Sequence, residues 1–398
     1  MTTYLTRLEE EMLRGEHGYA AQKAMEILVA LGKVYGAERM VPIKSAQISG
    51  VSYKNIGEEG LEFLEELARD GRVRVLTTLN PAGMDLESWR EMGISESFAE
   101  RQLRVVKAFQ RMGITLTLSC TPYLAGNKPS YGDHLAWGES SAVIYANSVI
   151  GARTNREGGP SALAAALAGR TPMYGLHLEE NREPTVEIRV PELHGEQEYA
   201  ALGYLVGKMV RDGIPLFKGI RSISPDEHKA LGAALASSGG VALYHVDGLT
   251  PEAVRRRFRA PERVSLDRGD VEEAVEELDG DADPDLIFLG CPHLSLDELR
   301  RFAELLGGRR VRRKVWLSMA RSVLREAEET GLAERLRRSG VMLTADTCPV
   351  VAPLKEMGYR SIATNSGKCA FYSDKHMRLK VRFLPMERLA QLAVGDGS

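Results

Sequence analysis

Residues 285–345, DLIFLGCPHLSLDELRRFAELLGGRRVRRKVWLSMARSVLREAEETGLAERLRRSGVMLTA, alternate short apolar runs with amphipathic segments of helical period. The runs LIFLG, KVWLSMA and VMLTA read as strands and the longer stretches between them as helices. Strands joined through helices return in the same direction, so the pattern implies a parallel sheet. Ser295, followed three residues on by Glu298, forms a capping box and places Cys291-Pro292-His293 in the loop between a strand and a helix. The alternation reaches upstream to Lys218 through a helix from Pro225 to Ser238, the run VALYHV and the segment TPEAVRRRF. The fold expected is α/β and multi-lobed, with a parallel βα-repeat sheet in the C-terminal half.

The N-terminal half reads differently. Thr6 and Glu9 make a capping box for a first helix, and YAAQKAMEILVALGKVYG continues at helical spacing as scaffold. Between residues 40 and 160, apolar runs alternate with polar loops in VPIKSAQISGVS, VRVLTTLNPAGMD, ITLTLSCTPY and SAVIYANSVIGARTNREGGPS, and loops of this kind carry function. Three regions are expected: an N-terminal α/β lobe over 1–200, a βα lobe over 201–360 carrying Cys291 and Cys348, and a segment 361–398 that returns to the site. The acidic stretch DRGDVEEAVEELDGDADPD reads as a solvated helix and loop without a binding role.

A chain of 398 residues with 43% hydrophobic residues can bury more than one core. Its formal charge of −3 and dispersed basic residues argue against a nucleic-acid footprint or a polybasic membrane contact. No apolar run approaches the roughly eighteen residues that cross a bilayer. The N-terminus MTTYLTRLEEEMLRGEHG lacks an apolar h-region, so a cytoplasmic location is expected, where thiols stay reduced.

Three of the four cysteines end apolar runs and stand next to, or one residue from, a proline: Cys120 in ITLTLSCTP, Cys291 in DLIFLGCP and Cys348 in VMLTADTCP. Strand ends are where α/β proteins place chemistry. Three thiolates can hold a cubane iron–sulfur cluster and leave one iron open as a Lewis acid. The alternative is that these are buried cysteines acting as small hydrophobes, and no CxxC pair decides between the two. Cys369, in NSGKCAFY, follows no strand and is the reserve ligand.

Taken together, VPIKSAQISGVSY, TTLNPAGMD, CTPY, YANSVIGARTNREGGPSALAAALAGRTPMYGLH, GCPH and DTC resemble the catalytic large subunit of the aconitase X family, over nearly the whole chain. The resemblance implies an aconitase-superfamily fold and a hydro-lyase with an iron–sulfur cluster; Cys120, Cys291 and Cys348 fit a 4Fe-4S cubane with an open iron, and a two-iron cluster with one non-cysteine ligand stays open. It implies a small swivelling-domain subunit as partner in a heterodimer, with the general base on that partner. The expected substrate is a small phosphorylated hydroxy acid, (R)-5-phosphomevalonate, of an archaeal-type mevalonate pathway. The alternatives are cis-3-hydroxy-L-proline or another hydroxy acid, and a non-enzymatic redox sensor.

Dehydration of a β-hydroxy acid needs a Lewis acid for the hydroxyl, a base, and groups that hold anions. The anion-binding candidates are the loop Ser49-Gly50-Val51-Ser52, the turn Asn80-Pro81, and Lys368 in NSGK, although SGVS and NPAG are also ordinary turns. Glu139 and Ser140 could orient substrate or relay a proton, with helix capping by Ser140 equally natural. Arg153 and Arg156 could clamp a carboxylate or phosphate, or brace their loop. His293 could donate to a cluster sulfur, whereas His177 and His245 read as structural.

Overall fold

The computed structural model describes residues 3–395 and contains three parallel sheets, one in each of three successive regions of the chain. In the first region, strands Leu76–Leu79, Ser45–Ile48 and Leu135–Trp137 lie side by side with Ser45–Ile48 central. That strand is buried along its whole length. Ala46 and Ile48 join the apolar core, and Gln47 satisfies its amide by donating to the Ser119 carbonyl oxygen at 3.1 Å, since an unpaired amide in this position would cost about 1–3 kcal/mol. Helix Gly159–Ala168 lies against it, with Ala162 through Ala168 all buried.

The second sheet runs His245–Val246, Pro215–Lys218, Val186–Arg189, Glu262–Ser265. The βα alternation therefore begins at Val186, ahead of Lys218, and only the last two residues of VALYHV are strand. Helices Gly195–Val210 and Pro225–Gly239 cross in close contact, because a Cβ on Gly203 would stand 2.4 Å from the Leu231 carbonyl oxygen.

The third sheet holds five parallel strands in the order Met342–Ala345, Val315–Met319, Leu286–Leu294, Ser361–Thr364, Lys380–Phe383. Residue 200 lies inside helix Gly195–Val210, and residue 361 begins a strand paired to Leu286–Leu294, so neither position is a break in the structure. The Thr6–Glu9 and Ser295–Glu298 capping boxes are both formed. In the acidic stretch, helix Arg268–Leu278 buries Val271, Ala274 and Leu278, and Asp279 accepts from the Phe383 amide at 2.8 Å. That stretch is part of the packing and not merely solvated. No helix among the described residues is long and apolar enough to cross a membrane.

The approaches to the thiols depart from simple strand ends. ITLTLSC is no regular strand: it pairs at Thr115 with Thr78, then the left-handed φ of 45° at Leu118 turns the chain. The Thr117 hydroxyl accepts from the Leu79 amide at 3.1 Å where a backbone carbonyl would otherwise do so. Strand Leu286–Leu294 continues through Cys291, with a register shift between Leu289 and Leu294 and a cis Cys291–Pro292 bond. Strand Met342–Ala345 stops three residues short of Cys348, at Asp346 with φ 64°.

Candidate active site

Parallel strands deliver their following loops to one edge. In the first sheet that edge carries Ser49-Gly50-Val51-Ser52, Asn80-Pro81 and Gly138-Glu139, with the Cys120 segment hydrogen-bonded beside it through the Ser119 amide and Leu79 carbonyl. In the third sheet the corresponding positions carry Cys348 and Asn365 through Cys369.

The two edges are joined at several points. The Ser52 hydroxyl donates to the Val351 carbonyl at 3.0 Å and the Ala82 amide to the Asp346 carbonyl at 2.7 Å. Arg321 binds Asp85 at 2.8 Å and also Asp346, clamping the loop after Leu79 to the turn before Cys348. Asp85 further accepts from the Ala345 amide at 2.7 Å. Burial works against its charge, but that amide and Arg321 hold its carboxyl below the ordinary carboxylate range.

Lys368 and Glu139 form a buried ion pair between the two edges, each only 6% exposed. Glu139, not Ser140, caps helix Ser140–Tyr145, accepting from the Ala142 amide at 2.7 Å and the Ser141 hydroxyl at 2.6 Å. Burial disfavours charge on both partners. It is outweighed by their mutual attraction, so Glu139 titrates below and Lys368 above their usual ranges. The ammonium donates to Glu139, Ser140 and Ser141, which uses its three hydrogens. The Lys368 charge, expected from the sequence to help hold an anionic substrate, is thus paired with Glu139 in this structure.

Arg153 is likewise committed, to Glu179 and to the His177 carbonyl at 3.3 Å, and it braces its loop. Arg156 is exposed, pairs through its backbone with Trp137 just ahead of Glu139, and makes no side-chain hydrogen bond or ion pair among the described residues. Ser49 and Gly50 are half-buried, with Gly50 at φ 75°, whereas Val51 and Pro81 are buried. The Ser49 side chain lies against Gly138, where a Cβ would come within 2.7 Å of its oxygen. Asn80 Oδ1, Thr347 Oγ1 and the Tyr123 hydroxyl are buried without partners.

All four cysteines are free and buried. Cys120, Cys291 and Cys348 retain 5–8% exposure and Cys369 none. The ionisation of each of the three is opposed by its neighbours. Burial, then Glu139 and Cys348, pushes the Cys120 thiol well up, and burial, then Cys291, pushes Cys348 up to about 12. Cys291 rises through its contact with Cys369 first and burial second. Such thiols keep their protons unless a cation replaces them. No three His, Cys, Asp or Glu side chains among the described residues converge as ligands of a single ion. Three sulfurs, two on loops and one in the irregular end of strand Leu286–Leu294, with unpartnered Thr347 Oγ1 beside Cys348 and the Tyr123 hydroxyl near Cys120, fit a polynuclear group better than one ion.

His293 is fully buried, and it is its backbone amide, not its ring, that meets a sulfur, donating to Cys120 Sγ at 3.2 Å. His177 pairs with His134 at 2.9 Å, and His245 with the Arg182 carbonyl at 2.9 Å, consistent with structural roles. Residues missed in the sequence include Gln47, Asp85, Gln102 and Arg321. Gln102 accepts from the Tyr53 and Gly83 amides and donates to the Val51 carbonyl, so it ties the loop after Ile48 to the loop after Leu79. Its place on the apolar face of helix Glu96–Arg111, among Ala99, Val105, Val106 and Phe109, was the available signal.

A multi-lobed α/β protein that gathers thiols and a buried Lys–Glu pair between two sheet edges is thus defined. Models of the Aconitase X first, second and third domains match residues 2–180, 184–276 and 284–395, and the chain belongs to the aconitase X family. It is 54% identical to the phosphomevalonate dehydratase large subunit of Methanothermobacter thermautotrophicus, over 93% of each chain. It is 48% identical to the protein of that name from Methanocaldococcus jannaschii, over 97% of this chain and 99% of that one. Cis-3-hydroxy-L-proline dehydratase of Pseudomonas aeruginosa is 38% identical, over 99% of this chain but 70% of its own length. The crystal structure of the holo-form of Thermococcus kodakaraensis aconitase X superposes with a TM-score of 0.92 at 46% identity, covering 98% of this chain and all of that one.

Proposed function

We propose that the chain is the large subunit of a phosphomevalonate dehydratase, a cytoplasmic hydro-lyase that removes water from (R)-5-phosphomevalonate to give trans-anhydromevalonate 5-phosphate. The observation that carries this reading is the match of 48 to 54% identity, nearly end to end, to proteins of that name, against 38% to a cis-3-hydroxy-L-proline dehydratase that is longer than the matched region.

Cys120, Cys291 and Cys348 would hold an iron–sulfur cluster of 4Fe-4S type. When bound, the cluster supplies a Lewis acid for the departing hydroxyl. The chain's own residues do the rest of the positioning. Glu139 stays ionised through Lys368 and orients the Ser140 and Ser141 hydroxyls at the junction of the two edges. Ser49, Gly50 and Asn80 present an oxygen, a left-handed glycine and an unpartnered amide oxygen beside them. Arg156 offers the phosphate an unpaired guanidinium able to bind two oxygens at once.

The general base belongs to a small swivelling subunit, a partner that the name "large subunit" of the relatives supports. The isolated chain should therefore load iron and sulfide yet turn over poorly until that subunit is added. Equal rates with and without it would overturn the two-subunit reading.

A further inference from the structure

Every polar group of His293 is engaged, and the partners come from three separate segments: Ser119 and Cys120, Thr347, and Lys229 of helix Pro225–Gly239. Its ring Nε2 lies 3.0 Å from the Thr347 carbonyl oxygen, which can only accept, so this nitrogen carries the hydrogen. Nδ1 is then the acceptor for the Ser119 hydroxyl at 3.0 Å, and that hydroxyl oxygen in turn accepts from the Thr121 amide at 3.1 Å. The His293 amide donates to Cys120 Sγ, and its carbonyl accepts from Lys229 at 3.4 Å. Ser119 immediately precedes Cys120, Thr347 immediately precedes Cys348, and His293 itself follows Cys291 by two residues. One fully buried ring, on a residue two positions after Cys291, thus bonds the residues that directly precede the other two thiols. An ordinary buried histidine needs only two satisfied nitrogens, wherever their partners happen to lie.

We propose that His293 is a positioning residue that sets the spacing of Cys120, Cys291 and Cys348 by fastening the segments that carry them to one imidazole in its Nε2–H form. The proposal rests on the reading that these thiols act together, but its geometry is independent of what they bind. Lys229 fixes the residue from the far side, so the second lobe's helix Pro225–Gly239 is coupled to the thiol spacing through a single carbonyl.

The two ring bonds can be cut separately. Glutamine places an amide donor near the position of Nε2, and asparagine places an amide oxygen near that of Nδ1. In iron-free protein, alkylation of each cysteine by iodoacetamide is followed by mass spectrometry, with Cys369, fully buried and unbonded to His293, as the internal reference. His293→Gln should keep the Thr347 bond and speed alkylation of Cys120. His293→Asn should keep the Ser119 bond and speed alkylation of Cys348. Each increase is expected to be about fivefold, the change in a local opening equilibrium that one lost hydrogen bond gives. Ser119→Ala should reproduce the Cys120 effect, and His293→Gln should add little on top of it.

A parallel rise at Cys120, Cys348 and Cys369 in both variants would mean general loosening and would overturn the proposal, as would unchanged rates. Iron binding is measured separately on the cysteine-to-serine variants. A failure of the ligand reading there would leave the crossed alkylation pattern standing, and loss of the crossed pattern alone would leave the ligand reading intact.

Discussion

The second and third sheets are built alike, all strands parallel and connected through helices apart from the helix-free segment 346–360 in the third, yet they contribute to the site in opposite ways. The third sheet's segments carry Cys291, Cys348 and Lys368 to the first lobe's edge. The second contains no cysteine at all, and the visible cargo of its strand ends is a surface pair, Lys218–Asp247 at 2.8 Å. Its contribution is indirect: Lys229, on helix Pro225–Gly239, pairs with Glu298 and Asp226 and reaches the His293 carbonyl. The same architecture thus serves as thiol carrier in one lobe and as brace in the other, because chemistry depends on which edges meet and not on the fold itself.

Removing a carrier should have the largest effect. Cys120→Ser, Cys291→Ser or Cys348→Ser is expected to abolish turnover and bleach the reconstituted protein, read by iron content and visible absorbance, whereas Cys369→Ser should keep both. If Cys369→Ser loses the absorbance and Cys120→Ser retains it, the division of roles among the thiols is wrong. Next, Lys368→Met leaves the Glu139 carboxylate buried and unpaired, which should cost about 3–5 kcal/mol of stability in urea unfolding. Adding Glu139→Gln should restore much of that, since the stranded charge is gone.

The brace has a pH signature. Three carboxylates, Glu196, Asp226 and Glu298, surround the Lys229 ammonium, and burial, helped by Asp226 and Glu196, pushes Glu298 up to about 7 against the pull of Lys229. A carboxyl whose folded pKa is raised binds its proton more tightly when folded. Its stabilisation is full below about pH 4.5, the ordinary value, and is lost as pH rises through about 7. Between pH 5 and 8, wild-type protein should therefore lose on the order of 2 kcal/mol relative to Glu298→Gln. A stability gap that is constant with pH would contradict this. The smallest effect on stability is expected at the arginines. Arg156→Ala should raise KM roughly tenfold, about the 1–3 kcal/mol of a charged hydrogen bond, with unchanged unfolding. Arg153→Ala should shift stability by less than about 1 kcal/mol and leave KM alone.

Three of the third sheet's five strands were legible as apolar runs of normal length, and the Ser295–Glu298 capping box placed Cys291 ahead of its helix, whereas Ser361–Thr364 and Lys380–Phe383 were not legible as strands. The second sheet was half legible: VEIRV has the alternation of a strand, but it is short and follows a polar loop. Residue type alone singles out the cysteines as candidates, but it is silent where pairing decides a role. Nothing local shows that Lys368 meets Glu139 across 229 positions, or that Arg321 meets Asp85 across 236. Leu118 turns ITLTLSC out of regular pairing through a backbone angle that its apolar side chain does not advertise.

The most direct test of the account is anaerobic reconstitution of the chain with iron and sulfide, addition of the small subunit, and parallel assay with 5-phosphomevalonate and cis-3-hydroxy-L-proline. Water loss from phosphomevalonate alone is the result expected. Turnover of hydroxyproline alone would contradict the substrate assignment while leaving the fold and the family in place.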